Sequence, residues 1–99
     1  MVSKQTAEQL YEADRQERIR TQIKEVLPKA ERGNSFYQHI LALLYFEVDN
    51  EDESLRWLKV CAYENVAAMT SLAYYIGNQM ESEEQLFWRG ELKRVYESD

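Results

Sequence analysis

Residues 41–58, LALLYFEVDNEDESLRWL, overlay residues 72–89, LAYYIGNQMESEEQLFWR, and this overlay decides the fold. The offset is 31 residues, and it recurs elsewhere in the chain. Leu10, Leu41 and Leu72 obey it, as do Val26, Trp57 and Trp88, and Ala30, Cys61 and Leu92. Ala42 pairs with Ala73, Leu55 with Leu86, Leu27 with Leu58, and Asn34 with Asn65. A period between 20 and 50 residues marks stacked repeat architectures, in which each unit buries its apolar face on its neighbours.

Each unit reads as two helices. Ser35 opens a helix running to about Glu47, with Gln38 completing a capping box. Asp49 and Asn50 form a turn, and Asn50 caps a helix to about Tyr63. Asn65 caps the next, to about Asn78. Ser82 and Gln85 form a second capping box and start a final helix to about Tyr96. Tyr37, Ile40, Leu41 and Leu44 share one helical stripe, and Leu55, Leu58 and Ala62 share another. The first helix of each pair is apolar nearly all round, which requires cover on several sides. The opening unit has only a modest stripe at Ala7, Leu10, Tyr11 and Ala13, followed by the turnless run DRQERIRTQIKEV. One long helix from about Ser3 to Leu27 and two shorter ones are both open, and Pro28 is expected to end or kink whatever precedes it.

The expected fold is therefore all-α: a short right-handed stack of antiparallel helical hairpins, an α-α superhelix of about five to six helices. It forms one domain, 1–99, with weak units at 4–34, 35–65 and 66–96. Gly (3) and Pro (1) are too scarce for the frequent turns of a sheet protein. A chain of this length buries only roughly 65% of its unfolded surface, leaving little room for a deep catalytic cleft. The net charge of −6 argues against nucleic acid, whose phosphates need clustered Lys and Arg, and favours a basic partner. The N-terminal residues MVSKQTAEQ do not resemble an apolar signal segment, and no apolar run approaches the roughly 20 residues of a membrane span. A single cysteine excludes an internal disulfide, so a cytoplasmic location is expected.

The units resemble Sel-one-like repeats, the short relatives of tetratricopeptide repeats. LALLYF and SLAYYI are similar to that family's first-helix pattern of small residue, Leu and Tyr. DNEDESLRWLKVCA is similar to its acidic turn and second helix, through Leu55, Trp57, Leu58, Lys59 and Ala62. KAERGNS looks like its inter-unit link, through Ala30, Glu31, Gly33 and Asn34. The resemblance covers about 70 residues. The chain departs from the family in its shorter period, in lacking the inter-helix glycine, and in placing Tyr63 and Glu64 in the second link. The resemblance implies protein–protein recognition and no chemistry.

The residues that carry chemistry are few. His39 is the only histidine, so neither a histidine-based triad nor a multi-histidine metal site is available. Cys61 aligns with Ala30 and Leu92 and reads as a small buried hydrophobe. DNEDE lacks the glycine and ligand spacing of a calcium loop. No catalytic residue, metal or cofactor is expected, and the chain reads as a non-enzyme. Trp57 and Trp88 read as core packing or as partner anchors. Tyr45, Tyr74 and Tyr75, on the first helices, read as core or as contacts on the inner surface of a stack.

The acidic turns are the most suggestive feature. Asp49, Glu51, Asp52 and Glu53 form one cluster, and Glu81, Glu83 and Glu84 form another one unit later. In a stack, equivalent positions lie side by side, giving an acidic edge. Acids at a helix N-terminus stabilise it by roughly 0.3–1 kcal/mol each, but seven acids exceed what capping needs. With Tyr45 and Tyr74, these are the candidate partner-binding residues. Two functions compete. One is a bacterial immunity protein of the contact-dependent-inhibition type, whose acidic edge blocks the basic cleft of a nuclease-type toxin. The other is a general adaptor holding a partner's peptide or helix in the inner groove. The free chain is expected to be a monomer or weak dimer, with no nucleic-acid or membrane partner.

Overall fold

Acidic and basic side chains at helical spacing hold the first helix together where a turn is missing. The computed structural model describes residues 4–75 and 82–97. It opens with α1, Lys4–Glu31, a single helix through the whole of the turnless run. Arg15 pairs with Glu12 and Arg18 with Asp14, one turn apart. Arg20 donates to Gln16 at 3.2 Å. Such contacts contribute roughly 0.2–0.5 kcal/mol each, and no Gly or Asn interrupts them. Pro28 neither ends this helix nor marks its boundary: α1 runs on to Glu31. A proline removes the bond to the carbonyl four residues back. Lys24, which carries that carbonyl, is exposed, so the loss falls on the wet side of the final turn. Gly33, at φ +94, takes the left-handed conformation after the helix, a position that favours glycine.

The later helices start where their asparagines stand. Asn34 caps α2, Ser35–Glu47, its side chain accepting from the Phe36 and Tyr37 N–H groups at 2.9 and 3.3 Å. The capping box expected at Ser35 and Gln38 is absent. Ser35 is already helical, whereas Asn34 has the extended backbone a cap requires. Gln38 is buried and donates instead to the Ala30 carbonyl at 3.0 Å, fastening α2 to the end of α1. Asn50 caps α3, Glu51–Cys61, and Asn65 caps α4, Val66–Thr70. α4 then widens into a π-helical turn, Ser71–Tyr75, and the expected end of this helix, about Asn78, lies outside the described residues. Thr70 and Ser71 donate to the Val66 and Ala67 carbonyls at 2.8 and 3.1 Å, a competition with the backbone ladder that loosens helices. The last described element is α5, Ser82–Glu97. The second expected capping box involves the Ser82 side chain, which lies outside the described residues.

The fold is all-α, with five helices among the described residues. Successive helices pack on one another: α1 on α2, α2 on α3, and α3 on α4, with α5 closing on α4 and the π-helical turn. The core runs lengthwise from Ile23 and Ala30 through Leu41, Leu58 and Met69 to Leu92. Two further polar bonds tie second helices to first. Ser54 Oγ donates to the Ala42 carbonyl at 2.7 Å, and Arg89 Nε to the Ala73 carbonyl at 3.1 Å.

Many, but not all, positions separated by 31 have matching surroundings. Asn34 and Asn65 both cap, Leu41 and Leu72 are both fully buried, and Trp57 and Trp88 are 7% and 6% exposed. Leu86 is exposed where Leu55 is half-buried. Leu10 is 63% exposed beside Tyr11 at 65%, because α1 never turns back to cover them. The molecule is drawn out as a result, measuring 63 × 31 × 19 Å. Its radius of gyration, 16.3 Å, exceeds the roughly 13 Å of a compact chain this long. No helix among the described residues is long and apolar enough to cross a membrane.

Candidate functional site

The turn between α2 and α3 gathers the first acidic cluster. α2 ends in a Schellman-type cap, the Asn50 N–H reaching back to the Tyr45 carbonyl at 2.9 Å and the Asp49 N–H to Phe46 at 3.1 Å. This geometry puts Asp49 at φ 60, the left-handed region that glycine usually fills. Asn50 then accepts from the Glu53 N–H at 3.3 Å and starts α3. Glu51, Asp52 and Glu53 therefore occupy the first turn of α3, where the helix dipole favours negative charge.

Asp49, Asn50, Glu51, Asp52 and the ring of Phe46 line an open cavity of about 380 Å³. Asp49 and Asp52 are exposed and Glu51 half-buried, and none has an ion-pair partner among the described residues. Glu53 is different. Arg56 grips it with two bonds, at 3.0 and 2.8 Å, and stacks its guanidinium 4.7 Å from the centre of the Trp57 ring. That hydrogen-bonded arginine is the main reason the Glu53 carboxyl titrates below its ordinary value. The Trp57 indole N–H adds a smaller pull, although it completes no hydrogen bond among the described residues.

The second cluster is only partly available. Glu84 is ion-paired with Lys59, near the far end of α3. Seven residues separate Lys59 from Asp52, a helical rise of about 10 Å. A base thus stands against the acids of α5, and the edge is not uniformly negative. Glu83 is exposed, and Glu81 lies outside the described residues.

The two candidate tyrosines differ. Tyr45 is half-buried and packs on the core. Burial raises its phenol pKa, and the Glu53 carboxylate adds to the shift, partly opposed by Arg56. Tyr74 is 54% exposed on the π-helical turn, with the Arg89 guanidinium 4.7 Å over its ring. Tyr75 falls among residues whose side chains are not described.

Three residues that sequence reading passed over stand in the open. Phe36, Leu43 and Phe46 are 61%, 43% and 40% exposed, the first two on the face of α2 away from buried Leu41 and Phe46 at its edge, one turn beyond Ala42. The signal was the all-round apolar character of this helix. Cover on several sides was expected, and one side has none among the described residues.

Neither His39 nor Cys61 is placed as a reactive group. Cys61 is fully buried, and burial pushes its thiol up to about 11, so it stays protonated at neutral pH. His39 is half-buried, and desolvation lowers its pKa. Among the described residues no group of three His, Cys, Asp or Glu side chains is placed to hold a metal ion. No protein-family model, curated protein or solved structure matches the chain.

Proposed function

We propose that the chain is a protein-binding module, not a catalyst, that occupies a basic surface of a partner protein as an immunity protein occupies a nuclease-type toxin. One observation carries this reading. Asp49, Glu51 and Asp52 surround one cavity with no base among the described residues to neutralise them. Like charges so placed repel, and a cationic partner relieves that repulsion. The backbone at Asp49 supports the same reading. A left-handed residue is cheapest as glycine, and here it carries a carboxylate that the turn itself does not require. The resemblance to Sel-one-like repeats favours protein recognition over chemistry.

Electrostatic complementarity acts mainly on the association rate, which it raises toward ~10⁸–10⁹ M⁻¹s⁻¹ at low salt. The experiment is stopped-flow association with a catalytically inactive, basic nuclease-type domain encoded beside this gene, at low and physiological salt. Reversing Asp49, Asp52 and Glu83 to lysine is expected to slow association about tenfold or more while far-UV circular dichroism stays unchanged. An unaltered association rate would remove the charge-based reading. A second reading, a general adaptor, is favoured by the exposed ring of Tyr74. It predicts that Tyr74→Ala weakens binding and that the three reversals do not.

A further inference from the structure

The uncovered face of α2 has a chemistry that specifies its occupant. Phe36 and Leu43 are seven residues apart, two helical turns, with Phe46 on the same side one turn further. This ridge runs along a helix about 20 Å long. Its two ends carry opposite charge. At the N-terminal end Lys29 and Arg32, with Asn34 and Tyr37, line a second open cavity. Lys29 lies 4.9 Å over the Tyr37 ring, and that ring meets Phe36 edge-on at 5.4 Å. At the C-terminal end stand Glu47, Asp49, Glu51 and Asp52, with Phe46 as the apolar floor between them.

Helices ordinarily place acids at their start and bases at their end, to offset the macrodipole. α2 has no acid in its first turn and no base in its last. The flanking side chains therefore reinforce its dipole. Within the fold one side chain offsets part of this: Arg15 of α1 pairs with Glu47. The remaining acids at that end have no such base among the described residues.

We infer that α2 is the seat of an amphipathic helical segment of the partner, laid antiparallel to α2. Its apolar residues cover Phe36, Leu43 and Phe46, and its cationic N-terminal end rests on Asp49 and Asp52. Antiparallel packing opposes the two dipoles and brings bases to acids. An apolar centre with a polar rim is the usual composition of protein interfaces. This inference rests on the proposed protein-binding role and specifies which part of the partner is recognised.

The test uses synthetic helical peptides of roughly four turns, with leucines on one face at i, i+4 and i+7 spacing. One peptide has lysines near its N-terminus, a second has them near its C-terminus, and a third has glutamates in place of the N-terminal lysines. Fluorescence anisotropy against the full chain is expected to rank the first peptide at least tenfold tighter than the other two. Leu43→Ser with Phe46→Ser is expected to weaken that peptide tenfold or more, as is Asp49→Lys with Asp52→Lys. Amide shift mapping on the unmodified chain serves if a variant does not fold, and the perturbed residues must fall between Phe36 and Asp52. Equal affinity for all three peptides, no binding of the first, or shifts confined to α5 or the start of α1 would overturn the inference. So would a sedimenting dimer that Leu43→Ser dissociates, because a second copy would then own the face. The two proposals fail separately. A chain that blocks a basic domain but ignores the peptides keeps the functional reading and loses this one. A chain that binds the N-terminal lysine peptide on α2 but blocks no basic domain does the reverse.

Discussion

Replacing Trp57 with alanine tests the core and the register of α3 together. The ring is 7% exposed in the layer shared with Leu58 and Cys61. An aromatic side chain of this kind buries about 150–250 Å². At about 25 cal/mol per Å² that is roughly 4–6 kcal/mol, reduced by about 10–40% because unfolded chains already hide part of it. Loss of the Arg56 stacking adds about 0.5–1 kcal/mol, the value for an exposed cation–π pair. One contribution runs the other way. The indole N–H is buried without a completed hydrogen bond among the described residues, and such a group costs about 1–3 kcal/mol. Deleting it returns that cost, so Trp57→Ala is expected to destabilise by about 2–4 kcal/mol. Trp57→Phe keeps most of the ring, removes the N–H, and is expected to cost under about 1.5 kcal/mol. Urea unfolding followed by circular dichroism at 222 nm measures both, since removing a tryptophan complicates fluorescence. A loss under about 1 kcal/mol for the alanine variant would place the ring at a surface. A loss above about 1.5 kcal/mol for the Phe variant would mean that the indole N–H is satisfied in the native protein.

The Cys61 thiol, buried and titrating near 11, is expected to resist a thiol-specific disulfide reagent in the folded chain and to react only as fast as the chain opens, so labelling at neutral pH should accelerate with urea. His39 has a folded pKa below its unfolded value of about 6.5, so its contribution to stability is whole above pH 6.5 and is lost as pH falls through the folded value. His39→Gln should therefore flatten the dependence of Tm on pH between 7.5 and 5, and an unchanged slope would assign that dependence to other groups. Asn34→Ala and Asn65→Ala should each cost about 1 kcal/mol by removing equivalent caps, measured by urea unfolding. Asp49→Gly should hold or raise stability, by up to about 1 kcal/mol, while slowing association with a basic partner; a stability loss there would mean that the carboxylate serves the fold.

What the sequence disclosed and what it concealed divide along a physical line. Caps depend on a few consecutive residues, so Asn50 and Asn65 could be read directly and each starts its helix as expected. Cys61 was legible because its repeat partners, Ala30 and Leu92, are apolar, and all three are buried. The fate of α1 was not legible. A run without Gly or Asn suits one helix or two, and only the ion-pair ladder and the missing return contact leave Leu10 and Tyr11 outside. Charge was the least readable property. Glu53 and Glu84 looked equivalent to Asp52, but one is held by Arg56 within its own helix and the other by Lys59 from a different one. The first pairing follows from i, i+3 spacing. The second depends on how α5 lies against α3, which no local pattern encodes.

α2 leaves apolar side chains in the open because its neighbours cover only part of it. A helix apolar nearly all round needs cover on several sides, and among the described residues α1 and α3 leave part of α2 open. Single exposed apolar residues are ordinary on protein surfaces. Phe36, Leu43 and Phe46 are not scattered, however: they share a face, and charge of opposite sign brackets it. The turn that ends α2 places Asp49 in a conformation glycine would adopt at lower cost, directly beside Phe46. Closing a hairpin needs only the left-handed backbone there, not the carboxylate. The fold therefore accounts for the turn, and the carboxylate is the part left to the proposed cationic partner.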